Sequence, residues 1–104
     1  MRLLRLLALT LLCGIAVPVA AQQRGDDAIA KLERNRTANP SSVAALRALG
    51  VAYYKRQRFT DAATVLNAAR RLDPKDGVSA LYAGLSAEAL EDYTGAKDAY
   101  NSYL

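Results

Sequence analysis

Residues 43–76 read VAALRALGVAYYKRQRFTDAATVLNAARRLDPKD and contain one complete structural repeat. When the chain is laid on itself at an offset of 34 residues, similar residues coincide on both sides of this stretch. The coincident pairs are Pro40 with Pro74, Ser42 with Asp76, Gly50 with Gly84, Phe59 with Tyr93 and Thr60 with Thr94. Two series run through three copies, Ala28, Ala62, Ala96 and Leu32, Leu66, Tyr100. Self-similarity at this period indicates a protein built from stacked repeats.

The spacing within the repeat predicts a pair of antiparallel helices. In the first half, Leu46, Leu49 and Tyr53 are three or four residues apart, so they share one helical face. The second half carries a similar stripe formed by Ala62, Leu66 and Ala69. Gly50 and the two alanines are small, which allows the two helices to approach closely, while the larger side chains fill the remaining space.

These positions resemble the signature of the tetratricopeptide repeat family, in which a large residue is followed by Leu-Gly, Tyr, Ala, Phe, Ala and Pro. The matching residues are Leu46, Leu49, Gly50, Tyr53, Ala62, Leu66, Ala69 and Pro74. Leu46 stands where the family usually has Trp, and Leu66 where it usually has Phe. The resemblance implies an all-α fold in which antiparallel helix-turn-helix repeats stack as a short right-handed α-solenoid.

The amino-terminal residues 1–21 have a different character and are typical of a secretory signal peptide. Arg2 and Arg5 form a basic segment, residues 6–17 form an apolar run, and small residues lead up to Ala21. The run is shorter than the roughly 20 residues that a membrane-spanning helix needs. Leucines rather than small residues precede Cys13, which disfavours lipidation. We therefore expect cleavage after Ala21 and export. The periplasm is the favoured destination, with secretion or envelope association as alternatives.

The remaining chain divides into a leader and a repeat domain. We assign the leader to residues 22–26, a half repeat acting as an amino-terminal cap to 27–40, a full repeat to 43–76 and a second, incomplete repeat to 77–104. The predicted helices span residues 27–37, 43–56, 61–72, 77–91 and 95–104. Their predicted N-caps, all residues with good capping side chains, are Asp26, Ser42, Thr60, Asp76 and Thr94.

The residues that enzymes most often use are missing from the sequence. The chain has no histidine, and its single cysteine, Cys13, lies in the predicted signal peptide. It also lacks a glycine-rich phosphate loop and a serine nucleophile motif. The acidic pairs Asp26-Asp27 and Glu91-Asp92 are explained by a helix start and a turn. The sequence therefore predicts a protein that is not an enzyme and uses no cofactor or metal.

Charge is distributed unevenly along the chain. Without Arg2 and Arg5 the basic residues number 14 − 2 = 12 against 10 acidic, a net charge of +2. Residues 22–76 carry eleven basic and six acidic residues, whereas residues 77–104 carry one and four. The basic side chains fall in turns and helix ends and belong to no recognised nucleic-acid module. We expect no nucleic-acid partner, and membrane contact only transiently through the signal peptide. Contact of the basic residues with an acidic partner or anionic lipid is an alternative that stands between nucleic-acid binding and a merely solvated turn.

The family resemblance implies recognition of a protein or peptide in the concave groove formed by the first helices of successive pairs. Carried over by repeat position, the groove residues are Arg47, Val51, Tyr54, Lys55, Leu81, Leu85 and Glu88, with Ala44, Val78 and Ala89 beside them. Tyr54 near Arg47 is a pair that interfaces favour. Val51 stands where the family's clamp for a terminal carboxylate requires asparagine, so the resemblance does not extend to that clamp.

Three hypotheses about function follow. The first is a non-catalytic scaffold of the cell envelope that binds a protein or peptide partner. The second is the amino-terminal module of a longer envelope protein, whose catalytic, secretion or channel domain lies beyond Leu104. The third is a homo-oligomer formed through the carboxy-terminal helix, since Tyr100, Tyr103 and Leu104 would otherwise leave apolar surface uncovered.

Overall fold

A computed structural model describes residues 18–104. Five helices follow one another in this part of the chain: α1 (Val19–Ala38), α2 (Val43–Lys55), α3 (Phe59–Leu72), α4 (Gly77–Ala89) and α5 (Tyr93–Tyr103). Each helix packs on the next one, and α2 also packs on α4. The predicted all-α fold of stacked antiparallel helix pairs is confirmed. The stack is elongated, with extents of 57 × 32 × 16 Å.

The tight turn inside each helix pair is built in the same way in both repeats. Gln57 and Glu91, 34 residues apart, both adopt a left-handed backbone conformation with φ of 60°. Such a residue ends a helix by letting the following amide reach back to a carbonyl of the last turn. These closing hydrogen bonds run from the Arg58 amide to the Tyr53 carbonyl at 2.9 Å and from the Asp92 amide to the Ala87 carbonyl at 2.8 Å.

The joints between helix pairs also match each other. Pro40 and Pro74 each lie two residues after the last residue of a helix, and two further residues precede the start of the next helix. Ser42 and Asp76 occupy the N-cap positions of α2 and α4, as predicted. The Ser42 hydroxyl accepts a hydrogen bond from the Ala45 amide at 3.1 Å. Asp76 instead turns its carboxylate towards other side chains.

Three of the five predicted N-caps are wrong: Thr60, Thr94 and also Asp26, which lies inside α1. Helices α3 and α5 begin at Phe59 and Tyr93, so Thr60 and Thr94 are their second residues and not their N-caps. The left-handed turns reverse the chain quickly, and the helix starts two residues after them. The N-cap positions are Arg58 and Asp92, of which Asp92 accepts a hydrogen bond from the Gly95 amide at 3.0 Å.

Helix α1 begins earlier than the sequence predicted. It starts at Val19, so residues 22–26, predicted to form a leader, are helical, and Asp26 lies inside the helix. Residues 20–24 are Ala, Gln and Arg, which favour helix formation. Arg56 contacts this extension by an ion pair with Asp26, Nη2 to Oδ1 at 2.6 Å. Residues 1–17, most of the predicted signal peptide, lie outside the described residues, and its cleavage stays a prediction.

The interior lies where the helices of each pair cross. Leu46, Leu49 and Leu66 are almost completely buried in the first repeat. A Cβ atom at Gly50 would overlap the Leu66 side chain, and one at Gly84 would overlap the Tyr100 ring, so glycine allows the close packing seen at both crossings. The second repeat is filled by smaller residues, namely Ala80, Ala83 and Ala87 with the buried hydroxyls of Ser79 and Ser86. None of the helices within residues 18–104 is long and apolar enough to cross a membrane.

Candidate functional site

Helices α2 and α4 pack side by side and each leaves one face uncovered. On α4, Ala80, Ala83 and Ala87 are buried, while the turns facing away carry the half-buried Leu81 and Leu85 and the exposed Val78. The corresponding face of α2 carries Arg47, Val51, Tyr54 and Lys55. We call these two uncovered faces the α2–α4 face. Its apolar residues lie at three- and four-residue spacings, which keeps them on one side of each helix.

Arg47 closes one end of the α2–α4 face. Its Nε lies 2.9 Å from Oδ2 of Asp76, the N-cap of α4, and the same oxygen accepts the Ser79 hydroxyl at 2.6 Å. Burial acts to raise the pKa of the Asp76 carboxyl, but the hydrogen bonds from Ser79 and Arg47 outweigh it, so the pKa lies below its ordinary value. The guanidinium predicted to contact a partner is therefore bound within the chain and fixes α2 against the start of α4.

Tyr54, the second predicted anchor, is also engaged within the chain. Its ring lies 5.3 Å from the ring of Tyr82 on α4, in an edge-to-face arrangement, and 5.6 Å from Phe59 at the start of α3. Aromatic pairs at these distances are stabilising beyond the area they bury. Tyr54 consequently joins three helices, and its partly exposed edge is what remains for a partner.

The other end of the face is polar. Lys55 and Glu88, opposite in charge, are both exposed. Tyr100 on α5 is half-buried nearby: burial raises the pKa of its phenol above the ordinary value, and the neighbouring Glu88 carboxylate and the Tyr54 phenol raise it further. The structure thus brings Tyr54, Glu88 and Tyr100 together, although they are widely separated in the sequence.

The predicted groove residues divide into two groups. Val51, Leu81 and Leu85 are half-buried, and Lys55 and Glu88 are exposed, so all five are accessible on the α2–α4 face. Arg47 and Tyr54 are accessible only in part, because each is bound to another residue of the chain. Two participants were not among the predicted groove residues: Tyr82 on α4, and Asp76, which was predicted only as an N-cap. The repeat period gave no signal for Tyr82, because the residue 34 positions earlier, Ala48, was not a predicted groove residue.

A polar cluster on the opposite side of α2 attaches α1. The Tyr53 hydroxyl donates to Oε2 of Glu33 at 2.6 Å, and the Arg58 guanidinium lies 4.4 Å from the centre of the Tyr53 ring. Burial, together with the Glu33 hydrogen bond and charge, raises the pKa of Tyr53 to about 12. This cluster is structural, since Tyr53 is almost completely buried.

A depression of about 380 Å³, separate from the α2–α4 face, lies between α3, α4 and α5. Its polar wall is Arg70, whose guanidinium contacts Asn67 at 2.7 Å, Ser102 at 3.0 Å and Asp98 at 3.3 Å. These contacts hold α5 against α3, whereas the buried Nε of Arg70 has no hydrogen-bond partner among the described residues. Within residues 18–104 there is no group of three or more His, Cys, Asp or Glu side chains that could hold a metal ion.

Stacked antiparallel helix pairs with matched turns and matched joints define an α-helical repeat protein. A comparison with protein-family models matches the tetratricopeptide repeat over residues 19–77, more than half of the chain. The protein belongs to the tetratricopeptide repeat family. A search of curated proteins finds no significant match. Repeats of this family are in general non-catalytic modules for protein–protein interaction.

Proposed function

We propose that this protein is a non-catalytic scaffold of the cell envelope that binds a protein or peptide partner on the α2–α4 face. The observation that carries the proposal is a row of accessible apolar side chains on two neighbouring helices, Val51 on α2 and Leu81 and Leu85 on α4. Apolar surface shared by adjacent elements and bordered by charged residues is typical of protein-binding sites. Lys55 and Glu88 supply that polar border.

Partner binding is tested by placing a charge in the apolar row. We expect Val51→Asp and Leu85→Asp to reduce recovery of a partner from envelope extract by at least about tenfold, the equivalent of roughly 1.4 kcal/mol. Thr64→Asp, on an exposed position of α3, is the matched control and should leave recovery unchanged. Quantitative mass spectrometry of proteins retained on the immobilised chain gives the readout. Equal retention by all four proteins would contradict binding at this face.

The envelope location rests on residues 1–21, whose basic, apolar and small-residue segments follow one another as in a secretory signal. The test is cell fractionation followed by intact-mass measurement of the endogenous protein. A mass corresponding to residues 22–104 in the periplasmic fraction supports export. A protein recovered from the cytoplasm with residues 1–21 attached contradicts it, and a much larger envelope mass favours a module of a longer envelope protein.

A further inference from the structure

The predicted signal cleavage leaves a glutamine as the first residue of the mature chain. Ala21 ends the run of small residues, and Gln22 is the first polar residue after it. In the uncleaved chain Gln22 lies in the first turn of α1, where its amide donates to the Pro18 carbonyl at 3.1 Å. Cleavage removes that carbonyl and turns the amide nitrogen into a primary amine. Gln22 is exposed, so its carboxamide is accessible to this amine.

Arg56, which follows the last residue of α2, holds the start of the mature helix. Its Nη1 lies 3.4 Å from the Gln22 carbonyl oxygen, and its Nη2 lies 2.6 Å from Oδ1 of Asp26. A Cβ atom at Gly25 would collide with the guanidinium, so this group lies directly across the turn. Lys55 lines the same surface depression as Gln22 and Arg56. These contacts use the carbonyl of Gln22 and leave its nitrogen able to react.

A charged ammonium group on Gln22 would be poorly placed. It would lie beside Arg56 and Lys55, at the end of a helix where the macrodipole is positive. Asp26, the nearest acidic residue along the chain, is already bound by Arg56. Positive surroundings disfavour the protonated form of an amine, and they thereby increase the fraction that can act as a nucleophile.

We infer that Gln22 is a modification site and that the mature chain begins with pyroglutamate. The Gln22 amine nitrogen attacks the Cδ carbon of its own side chain, and the new C–N bond closes a five-membered lactam. The side-chain nitrogen leaves as ammonia and takes one proton from the attacking amine, so no further reactant is consumed. The product keeps the carbonyl that Arg56 contacts and loses the positive charge beside it.

This inference rests on the export part of the proposed function, because signal cleavage is what exposes the Gln22 nitrogen. The lactam also removes the free amine on which aminopeptidases act. The first turn of mature α1, which Arg56 attaches to the rest of the chain through Asp26, is then protected from trimming.

The test is mass spectrometry of the endogenous mature protein, intact and after digestion. We expect a mass below that of residues 22–104 by one ammonia, about 17 Da, with the difference in the amino-terminal peptide. Gln22→Asn is the matched variant: it keeps a carboxamide, but closure would need a strained four-membered ring, so its amine should remain free. Gln23→Asn should still lose ammonia, which assigns the reaction to residue 22.

The contribution of Arg56 is measured by the rate of ammonia loss after the purified precursor is cleaved by signal peptidase in detergent. Arg56→Met should slow this loss by about twofold or more, because it removes a positive charge beside the amine. Lys97→Met removes an exposed charge from α5 and should react like the unaltered protein. Equal rates in all three proteins would overturn the role of Arg56.

The mass of the endogenous protein separates the remaining outcomes. Loss of ammonia at residue 22 supports both the inference and export. The full mass of residues 22–104 with a free Gln22 amine would overturn the inference and leave export standing. A chain that retains residues 1–21 would overturn both, and an envelope chain that begins at another residue would overturn the inference together with the predicted cleavage position.

Discussion

The two repeats share one backbone design but distribute their apolar side chains differently. In residues 43–76 the large residues Leu46, Leu49 and Leu66 fill the crossing of the helix pair. In the second repeat the positions equivalent to Leu46 and Leu49 are Ala80 and Ala83, while Leu81 and Leu85 lie on the α2–α4 face. The repeat period thus determines the chain path, and the volume placed at each position determines whether a repeat strengthens the core or offers surface for binding.

The largest expected effect on stability comes from truncating the residue that fills the interior of each repeat. Leu66→Ala removes a fully buried side chain and should lower the free energy of unfolding by about 3 to 4 kcal/mol. Tyr100→Ala, at the same repeat position, should cost less, about 2 kcal/mol, because the Tyr100 ring is only half-buried and its space opens to solvent. Urea unfolding followed by circular dichroism measures both. Equal losses would show that the second interior is as well packed as the first.

The next effect concerns the crossings themselves. Gly→Ala usually stabilises a helix by about 1 kcal/mol, but at Gly50 the added methyl overlaps Leu66, and we expect a net loss of about 2 kcal/mol. At Gly84 the obstacle is the Tyr100 ring, which can move towards solvent, so the loss should be smaller. Gly77→Ala is the matched control, since its methyl would meet Tyr103 only at 3.5 Å. The same unfolding assay applies, and a stabilised Gly50→Ala protein would refute the close approach.

Features of the fold that repeat along the chain could be predicted from the sequence, whereas side-chain contacts that do not repeat could not. The period predicted the helix pairs, the joints at Pro40 and Pro74 and the capping role of Ser42, because each is a local property of the chain. It could not predict the contact of Arg47 with Asp76, which joins side chains 29 residues apart, or the aromatic contact of Tyr54 with Tyr82. Repeat position indicates which side of a helix a residue occupies, but not whether another residue of the same chain already binds it.

The misplaced start of α1 has a similar cause. The sequence predicted an N-cap at Asp26 and a helix start at residue 27, because Asp26 shares its repeat position with Thr60 and Thr94, which also precede apolar patterns. No turn interrupts α1 at that point, so its good helix formers continue back to Val19. The two pairs of the described chain have turn residues with positive φ, and analogy between repeats fails where that turn is missing.

A smaller, pH-dependent effect concerns the attachment of α1 to the first repeat. Tyr53 has a pKa of about 12 in the folded protein against an ordinary value of 10.0, so the folded state keeps its proton where the unfolded chain has lost it. Stability from this group is complete below pH 10 and is lost as the pH rises towards 12. Tyr53→Phe should remove this part of the pH dependence and lower stability by about 1 to 2 kcal/mol at neutral pH through loss of the Glu33 hydrogen bond.

The readout is the difference between the urea midpoints of the two proteins from pH 8 to pH 12, which cancels the titration of the other tyrosines. Tyr103→Phe, at a half-exposed ring, serves as the control and should follow the unaltered protein. A constant difference between the Tyr53→Phe variant and the unaltered protein across this range would mean that neither burial nor the Glu33 contact raises the pKa of Tyr53.

The smallest expected effect tests whether the two repeats share the same turn conformation although their interior side chains differ in volume. Gln57 and Glu91 both have φ of 60°, a conformation that costs a residue with a Cβ atom roughly 1 kcal/mol and costs glycine almost nothing. Because the looser unfolded chain offsets part of the gain, Gln57→Gly and Glu91→Gly should each raise the free energy of unfolding by about 0.5 kcal/mol. Thermal unfolding of both variants and of the exposed helical control Thr64→Gly, which should be destabilised, measures this. Matching gains at the two turns would show that the turn is set by the repeat alone; a gain at only one would show that the packing of each repeat also determines the conformation of its turn.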